Sequence, residues 1–197
     1  MKEIEPHVSN FGPILIGRRC ILRPLMISDI SAMISWPPFT RPEDLCFNES
    51  PHTRAELEVW VKSRLSSVDK STFAVLDNEK NLIGRISLTL VDKEKREGLV
   101  GIRVRSDRVN EGWGTDALKT VVNYWFEQKG GKLLTLDVSS LNLRAIWCYE
   151  NVGFKIEGYH FQFEPLNKHP RAPTSGYVKF WDMRLTFEDW KKLRQTV

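Results

Sequence analysis

The sequence predicts an α+β protein: one mostly antiparallel sheet of about seven strands with helices on both faces. Three observations carry this reading. A β-rich run and two helical segments come first, three β-rich runs with short turns follow, and from Gly98 onward strand and helix patterns alternate. Short turns join antiparallel neighbours, whereas the stretch from Gly98 to Val138 is long enough for a crossover connection.

The elements follow in order. Ile14 to Leu25 reads as the first strand, interrupted by Gly17 and closed by Pro24. Ser28 or Asp29 caps a helix over ISAMISW, which Pro37 and Pro38 stop. Arg41 to His52 is a polar loop, and Thr53 caps the helix RAELEVWVKSRL, whose Leu57, Trp60, Val61 and Leu65 share a face. Thr72–Leu76, Leu82–Val91 and Gly98–Arg105 are strands linked by Asp77–Asn81 and Lys93–Arg96. A long helix after Gly114 carries Leu118, Val121, Val122, Trp125 and Phe126 as its core stripe and ends at Gly130-Gly131. LLTLDV is a strand, Asn142 starts the helix LRAIWCYENV, and Phe154–Phe163 and Tyr177–Leu185 are strands around an irregular Pro165–Gly176. Thr186 caps a terminal helix with Glu188 and Asp189 in its first turn. Residues 1–12 read as a leader and residues 13–197 as a single domain.

Composition narrows the class. At 197 residues, 41% hydrophobic and 11% aromatic, the chain has the make-up of a folded domain. The net charge of +4 suits an anionic ligand such as a nucleotide cofactor. Lys and Arg are spread along the chain rather than clustered, which argues against a nucleic-acid binder. Three cysteines, Cys20, Cys46 and Cys148, with wide spacing and no CxxC, argue against a disulfide framework and a zinc site, so no metal is expected. The N-terminus has no apolar run of the signal-peptide kind, no stretch is long enough to span a membrane, and a cytoplasmic location is expected.

Between strand and long helix lies VNEGWGTDAL. Gly112 and Gly114 free the backbone for close approach of a ligand, and the first N–H groups of the helix point into the loop with the positive end of the dipole. That arrangement suits a pyrophosphate, and Arg105 and Arg108 flank it. No GKS or GKT follows, and Ala117 stands where a dinucleotide fingerprint has its third glycine. After the next strand, Asn142 stands at the strand mouth, able to hydrogen-bond an amide-rich ligand. Tyr149 follows two helical turns later on the same face and points its hydroxyl the same way.

The opening ILRPL and SDISAMISW, the helix start EGWGTDAL and the run NLRAIWCYENVGF together resemble the GNAT superfamily of N-acetyltransferases, and within it the RimJ/RimL-type branch. The resemblance covers Ile14 to Arg184. It implies an acetyl-CoA-dependent enzyme that acetylates a primary amine, on a small molecule or a protein N-terminus, as a monomer or homodimer without nucleic acid or membrane. The CoA pyrophosphate would meet the loop Val109, Asn110, Glu111, Gly112, Trp113, Gly114 and Thr115. The pantetheine arm would pair with Ile102, Arg103 and Val104, Asn142 would bind the cofactor, and Tyr149 would protonate the departing thiolate. Two positions depart from the family pattern. Val109 replaces a usual Gln or Arg, and Leu99 stands where many relatives carry a glutamate base. Glu97, on the same strand face as Leu99, is the substitute candidate for the base, beside a water chain or no dedicated base.

The implied chemistry is direct attack of a neutral amine on the thioester, with the Val104 N–H polarising the carbonyl oxygen. The acceptor pocket is expected between the first two helices, the Pro37–His52 loop and Phe161–Gly176. Trp36, Phe39, Phe161 and Phe163 offer an aromatic wall, Glu43, Asp44 and Glu49 a place for a cation, and Lys168, His169 and Arg171 a basic counterpart. A non-catalytic acetyl-CoA-binding protein of the same fold is the alternative, kept open by Leu99.

Overall fold

The computed structural model describes residues 12–41, 44, 48, 53–163 and 176–195. The expected first strand divides into a hairpin of β1 (Leu15–Ile16) and β2 (Ile21–Pro24), so the sheet has eight strands among the described residues where about seven were expected. The division has a distant cause. The Asp116 carboxylate accepts the backbone N–H groups of Arg18 (3.1 Å), Arg19 (2.8 Å) and Cys20 (3.0 Å), and Gly17 N–H donates to the Cys20 carbonyl at 2.8 Å. These bonds satisfy a tight turn that would otherwise leave its donors unpaired.

A single 3₁₀ turn at Ile27–Asp29 leads into α1 (Ile30–Ile34), and α2 (Arg54–Leu65) follows. Thr53 caps α2 as expected, and the structure completes the cap into a capping box with Glu56. Glu56 N–H donates to Thr53 Oγ1 at 3.2 Å, and Thr53 N–H donates to Glu56 Oε2 at 2.7 Å. Three antiparallel strands come next, β3 (Lys70–Leu76), β4 (Leu82–Asp92) and β5 (Glu97–Val104). The crossover helix α3 (Trp113–Asn123) widens into a π turn at Tyr124–Gln128 before β6 (Leu133–Ser139). Then come α4 (Leu143–Val152), β7 (Lys155–Phe163), β8 (Tyr177–Thr186) and α5 (Phe187–Gln195). The order across the sheet is β1-β2-β3-β4-β5-β6-β8-β7; among the described residues only β5 and β6 run parallel.

The two faces bury different sets of side chains. On one, Val61 of α2 and Ile30 of α1 close over Leu25, Ala74, Leu76 and Leu82. On the other, Leu118, Val121, Val122, Trp125 and Phe126, the stripe expected for the crossover helix, pack with Leu134, Leu136, Tyr149, Phe154 and Trp190. Each fully buried aliphatic or aromatic side chain there contributes about 1.5–3 kcal/mol. The site therefore lies between two anchored helices, α3 and α4, on a face they share.

Candidate active site

The parallel pairing of β5 with β6 stops early. Glu97, Gly98 and Leu99 face Leu133, Leu134 and Thr135, and no further register joins the strands. On its other side β5 stays paired with β4 as far as Gly84↔Val104. The strands thus splay, and the last half of β5 has one free edge. Which groups line that edge follows from alternation. Arg105 N–H donates to the Ile83 carbonyl at 2.9 Å, so the N–H groups of Val104 and Ile102 turn the other way, into the gap.

The gap opens into a cavity of about 650 Å³. Ile102, Arg103 and Val104 of β5 form one wall, and Val109, Asn110, Glu111, Gly112, Gly114 and Thr115 the floor. Asn142, Arg144, Ala145, Trp147, Cys148 and Tyr149 of α4 close the opposite side. Backbone conformation shapes the floor. Asn110 and Gly112 take left-handed φ values of 65° and 86°, and Gly112 is the N-cap of α3. The first N–H groups of α3 then have no intrahelical acceptor and face the cavity with the positive end of the helix dipole.

On α4, Asn142 is the N-cap. Its Oδ1 accepts the Ala145 N–H at 3.1 Å, so the carboxamide oxygen is committed to the helix and its NH₂ group remains for a ligand. Tyr149 is buried, lines the cavity, and takes no hydrogen-bond partner for its hydroxyl among the described residues. Burial, with smaller effects of Cys148 and Asp137, raises its pKa above the ordinary tyrosine value, so it is a neutral donor at physiological pH. Cys148 Sγ lies 3.2 Å from Thr115 Oγ1. Burial raises the thiol, against smaller opposing effects of Thr115 and Lys119, which keeps it in the unreactive form.

Comparison with known proteins is decisive for the family. Residues 19–155 match the model of the acetyltransferase (GNAT) domain. The chain belongs to the GNAT acetyltransferase family. Human N-acetyltransferase 8B is 29% identical to it over 128 residues, covering 63% of the chain and 53% of that protein, so the match spans about half the relative's length. Among solved structures, a Vibrio cholerae spermidine N-acetyltransferase in complex with CoA and spermine aligns at a TM-score of 0.72 and 21% identity, covering 88% of this chain and 98% of that one. A Bacillus anthracis GNAT acetyltransferase aligns at a TM-score of 0.71 and 17% identity, covering 89% and 99%.

Within this GNAT domain most of the sequence-expected residues converge on the cavity, and two do not. Trp113 turns into the core, where it is 6% exposed and its indole N–H donates to Glu111 Oε2 at 2.8 Å. Glu97 stands at the first residue of β5, roughly 23 Å from Val104 at the usual rise of an extended strand, and outside the cavity. A base at Glu97 does not fit that placement.

The flanking arginines are engaged elsewhere. Arg105 pairs with Asp107 at 2.7 Å, and Arg108 pairs with Asp77 at 3.3 Å and Glu111 at 3.2 Å. Arg19 of the first hairpin reaches the loop instead: its guanidinium donates to the Glu111 carbonyl and lies 4.6 Å from the centre of the Trp113 ring. Nothing local in the sequence signals that contact, because 92 residues separate the partners.

On the acceptor side, Phe39 lines the cavity, held against Arg144 at 5.3 Å. Asp44 is buried and pairs with Arg41 (2.7 Å) and Arg144 (3.3 Å), so its charge is already compensated. Trp36 packs in the smaller core cluster, and Phe161 and Phe163 are exposed on β7. Residues 1–11, Glu43, Cys46, Glu49, Lys168, His169, Arg171 and most of Pro165–Gly176 lie outside the described residues. Among the described residues, no cluster of His, Cys, Asp and Glu is placed to hold a metal ion, and no helix is long and apolar enough to cross a membrane.

Proposed function

We propose that the protein transfers the acetyl group of acetyl-CoA directly to a primary amine, with both substrates bound at once. The observation that carries this reading is the splay of β5 from β6. It leaves the N–H groups of Ile102 and Val104 facing a cavity that runs from the start of α3 to Tyr149. A pantetheine arm carries amide groups that such an edge pairs with as another strand would. The thioester then lies at the end of β5, where the Val104 N–H stabilises the negative charge that develops on the carbonyl oxygen.

Residues Val109 to Thr115 and Asn142 hold the cofactor in this reading. Trp113 supports the loop from beneath rather than touching the ligand. Burial keeps Tyr149 protonated at neutral pH, and its hydroxyl donates that proton to the departing sulfur, which leaves the CoA thiol neutral. Glu97 is too remote to remove a proton from the amine. The amine therefore attacks as the neutral base, and as the C–S bond breaks its nitrogen gives a proton up to water, which returns one to Tyr149. Most of the rate enhancement comes from alignment of the two substrates.

The acceptor is a small-molecule amine or a protein N-terminus reaching past Phe39. The Vibrio cholerae neighbour is a spermidine acetylase seen with spermine, which makes polyamines the first class to try. The ILRPL opening supports assignment to the RimJ/RimL-like branch, with a leader of residues 1–12, one catalytic domain of residues 13–197 and a cytoplasmic location.

The test is release of free thiol from acetyl-CoA with polyamines, N-terminal peptides and aminoglycosides, beside Tyr149→Phe. Release with one class, slowed strongly in the variant, supports the reading. Binding of acetyl-CoA without release for any amine favours a non-catalytic binding protein, and no binding at all removes the cofactor assignment.

A further inference from the structure

The sheet ends in two unlike edges. One is β1, only two residues long, and a strand that short offers little for another chain to pair with. The other is β7, nine residues long, which pairs with β8 on one side and has no strand beyond it among the described residues. The first part of β7 carries devices that keep an edge apart: Lys155 and Glu157 are charged, and the register shifts between Ile156 and Gly158. The second part carries none of them. Gly158 to Phe163 reads GYHFQF, without proline, lysine, arginine or a carboxylate, and its register is unbroken from Gly158↔Asp182 to Phe163↔Tyr177.

Alternation sets Tyr159, Phe161 and Phe163 on one face, where they stay 57%, 60% and 61% exposed. Tyr177, opposite Phe163 on β8, is 48% exposed. Edge-to-face contacts hold the rings in place: Tyr159 meets Phe161 at 5.8 Å and Trp181 at 6.2 Å, and Phe163 meets Tyr177 at 5.5 Å. The cation beside the row, Lys179, sits on β8 over the rings of Tyr159 and Trp181, at 4.1 and 3.7 Å, and so does not guard the edge. An aromatic side chain has about 150–250 Å² to bury, so at these exposures the four present an apolar patch of roughly 400 Å². A patch of that size marks an interaction surface.

The pattern of the strand is its own complement. On either side of Phe161 comes a polar residue and then an aromatic one: His160 and Gln162, then Tyr159 and Phe163. Two copies laid antiparallel about a two-fold axis at Phe161 set Phe161 against its own copy, Tyr159 against Phe163 and His160 against Gln162. Aromatic meets aromatic, polar meets polar, and His160 is already held by Asp182 at 2.7 Å. The facing rings, with the backbone of six residues a side, take about 1,000 Å² out of water between the two copies, the least that a specific dimer needs. We propose that β7 is the contact of a homodimer, in which two eight-stranded sheets join edge to edge through Tyr159, Phe161 and Phe163. An interface of that size gives a concentration-dependent dimer rather than a permanent one.

Analytical ultracentrifugation of the full chain over a concentration series tests it. Wild type is expected to pass from the mass of one chain to that of two as concentration rises. Phe161→Glu and Phe161→Lys each place a charge opposite its own copy, and each should raise the dimer dissociation constant about 100-fold or more. An equimolar mixture of the two variants sets opposite charges across the axis and should regain a dimer that neither forms alone. Position 161 is exposed, and a melting curve of each variant checks that the fold is kept. A dimer that neither variant weakens, or a mixture that stays monomeric, overturns the proposal. So does a wild type that is monomeric at every concentration. Hydrogen exchange then tells what the edge does instead: protected β7 amides in the monomer show it covered by another part of the chain, and unprotected ones leave it open to an extended segment of a different protein.

Discussion

Cys148 Sγ and Thr115 Oγ1 lie 3.2 Å apart, and this contact joins the start of α3 to the helix that carries Tyr149. The two motifs that hold the candidate cofactor site are therefore in direct side-chain contact. The thiol is within reach of the same cavity, which raises the question of a covalent acetyl-cysteine route. Burial raises the Cys148 thiol, and its hydrogen-bond neighbour among the described residues is the Thr115 hydroxyl rather than a base, so it is not an activated nucleophile. Cys148→Ser is expected to keep kcat within about three-fold, since the hydroxyl preserves the contact to Thr115 without supplying a nucleophile of thiolate strength. Initial rates decide it: a loss of two orders of magnitude or more would point to the covalent route.

Tyr149 carries the largest predicted effect. Tyr149→Phe is expected to lower kcat about 10²-fold or more, the usual contribution of a general acid, with little change in the affinity for acetyl-CoA. Its melting temperature should not fall, because the hydroxyl removed has no hydrogen-bond partner among the described residues. The pH dependence follows from the sign of the shift. The acid works while protonated, an ordinary tyrosine ionises near pH 10, and burial raises this one further. No alkaline loss of kcat from this group is therefore expected up to about pH 10. A descending limb near pH 8 or 9 that disappears in Tyr149→Phe would contradict this.

Stability at acid pH involves Asp77 in the β3–β4 turn. Burial acts to raise its pKa, but the donors of Asn81 and Glu79 and the charge of Arg108 outweigh it, and the carboxyl stays below the ordinary value. A depressed pKa stabilises the fold above the unfolded value, about 3.9, and that contribution disappears as pH falls through the folded value. The drop in melting temperature between pH 5 and pH 3 should therefore be smaller in Asp77→Asn than in wild type. Equal slopes would show that this carboxylate carries none of the acid sensitivity.

How much of this is legible in the chain varies by region. From Thr53 onward most elements are, because their signals are local: the Thr53 cap, the stripe from Leu118 to Phe126, and the Asn142 start of α4. The glycine loop and Tyr149 are legible for the same reason, since two motifs of regular spacing fix both. The first hairpin is not, because its turn is held by a carboxylate about a hundred residues away. The distance of Glu97 from the cavity is not legible, because alternation tells which face a strand residue occupies, not how far along the strand the site lies. Trp147, Arg144 and Arg19 escape because contact across helices has no one-dimensional signature.

The Asp116 anchor gives a prediction of its own. Asp116→Ala removes the acceptor of three backbone N–H groups at once. Leaving such donors unsatisfied costs about 1–3 kcal/mol, tempered here by the exposure of Arg18 and Arg19. The hairpin that positions Arg19 over the glycine loop should loosen, so acetyl-CoA binding should weaken along with stability. Hydrogen exchange at Arg19 and Cys20 reports the hairpin directly. Unchanged protection there would show that the turn holds without Asp116.

Gly112 allows the sharpest test of the loop. Its φ of +86° lies where an L side chain is strained, and a Cβ would come within 2.8 Å of Arg19 Nη1. The arginine tip can move aside, so the backbone term dominates, about 1–2 kcal/mol for a non-glycine residue. Gly112→Ala should thus lower stability by that amount. Any escape from the strain re-aims the N–H groups that start α3, so affinity for acetyl-CoA should fall by more than the loss of stability alone explains. Gly114→Ala is the internal control, because its Cβ would meet Val104 at an ordinary 3.4 Å and its φ is not left-handed. It should leave stability nearly unchanged and affect only the ligand that passes over it. Equal behaviour of the two variants would show that the left-handed turn at Gly112 has no part in holding the cofactor.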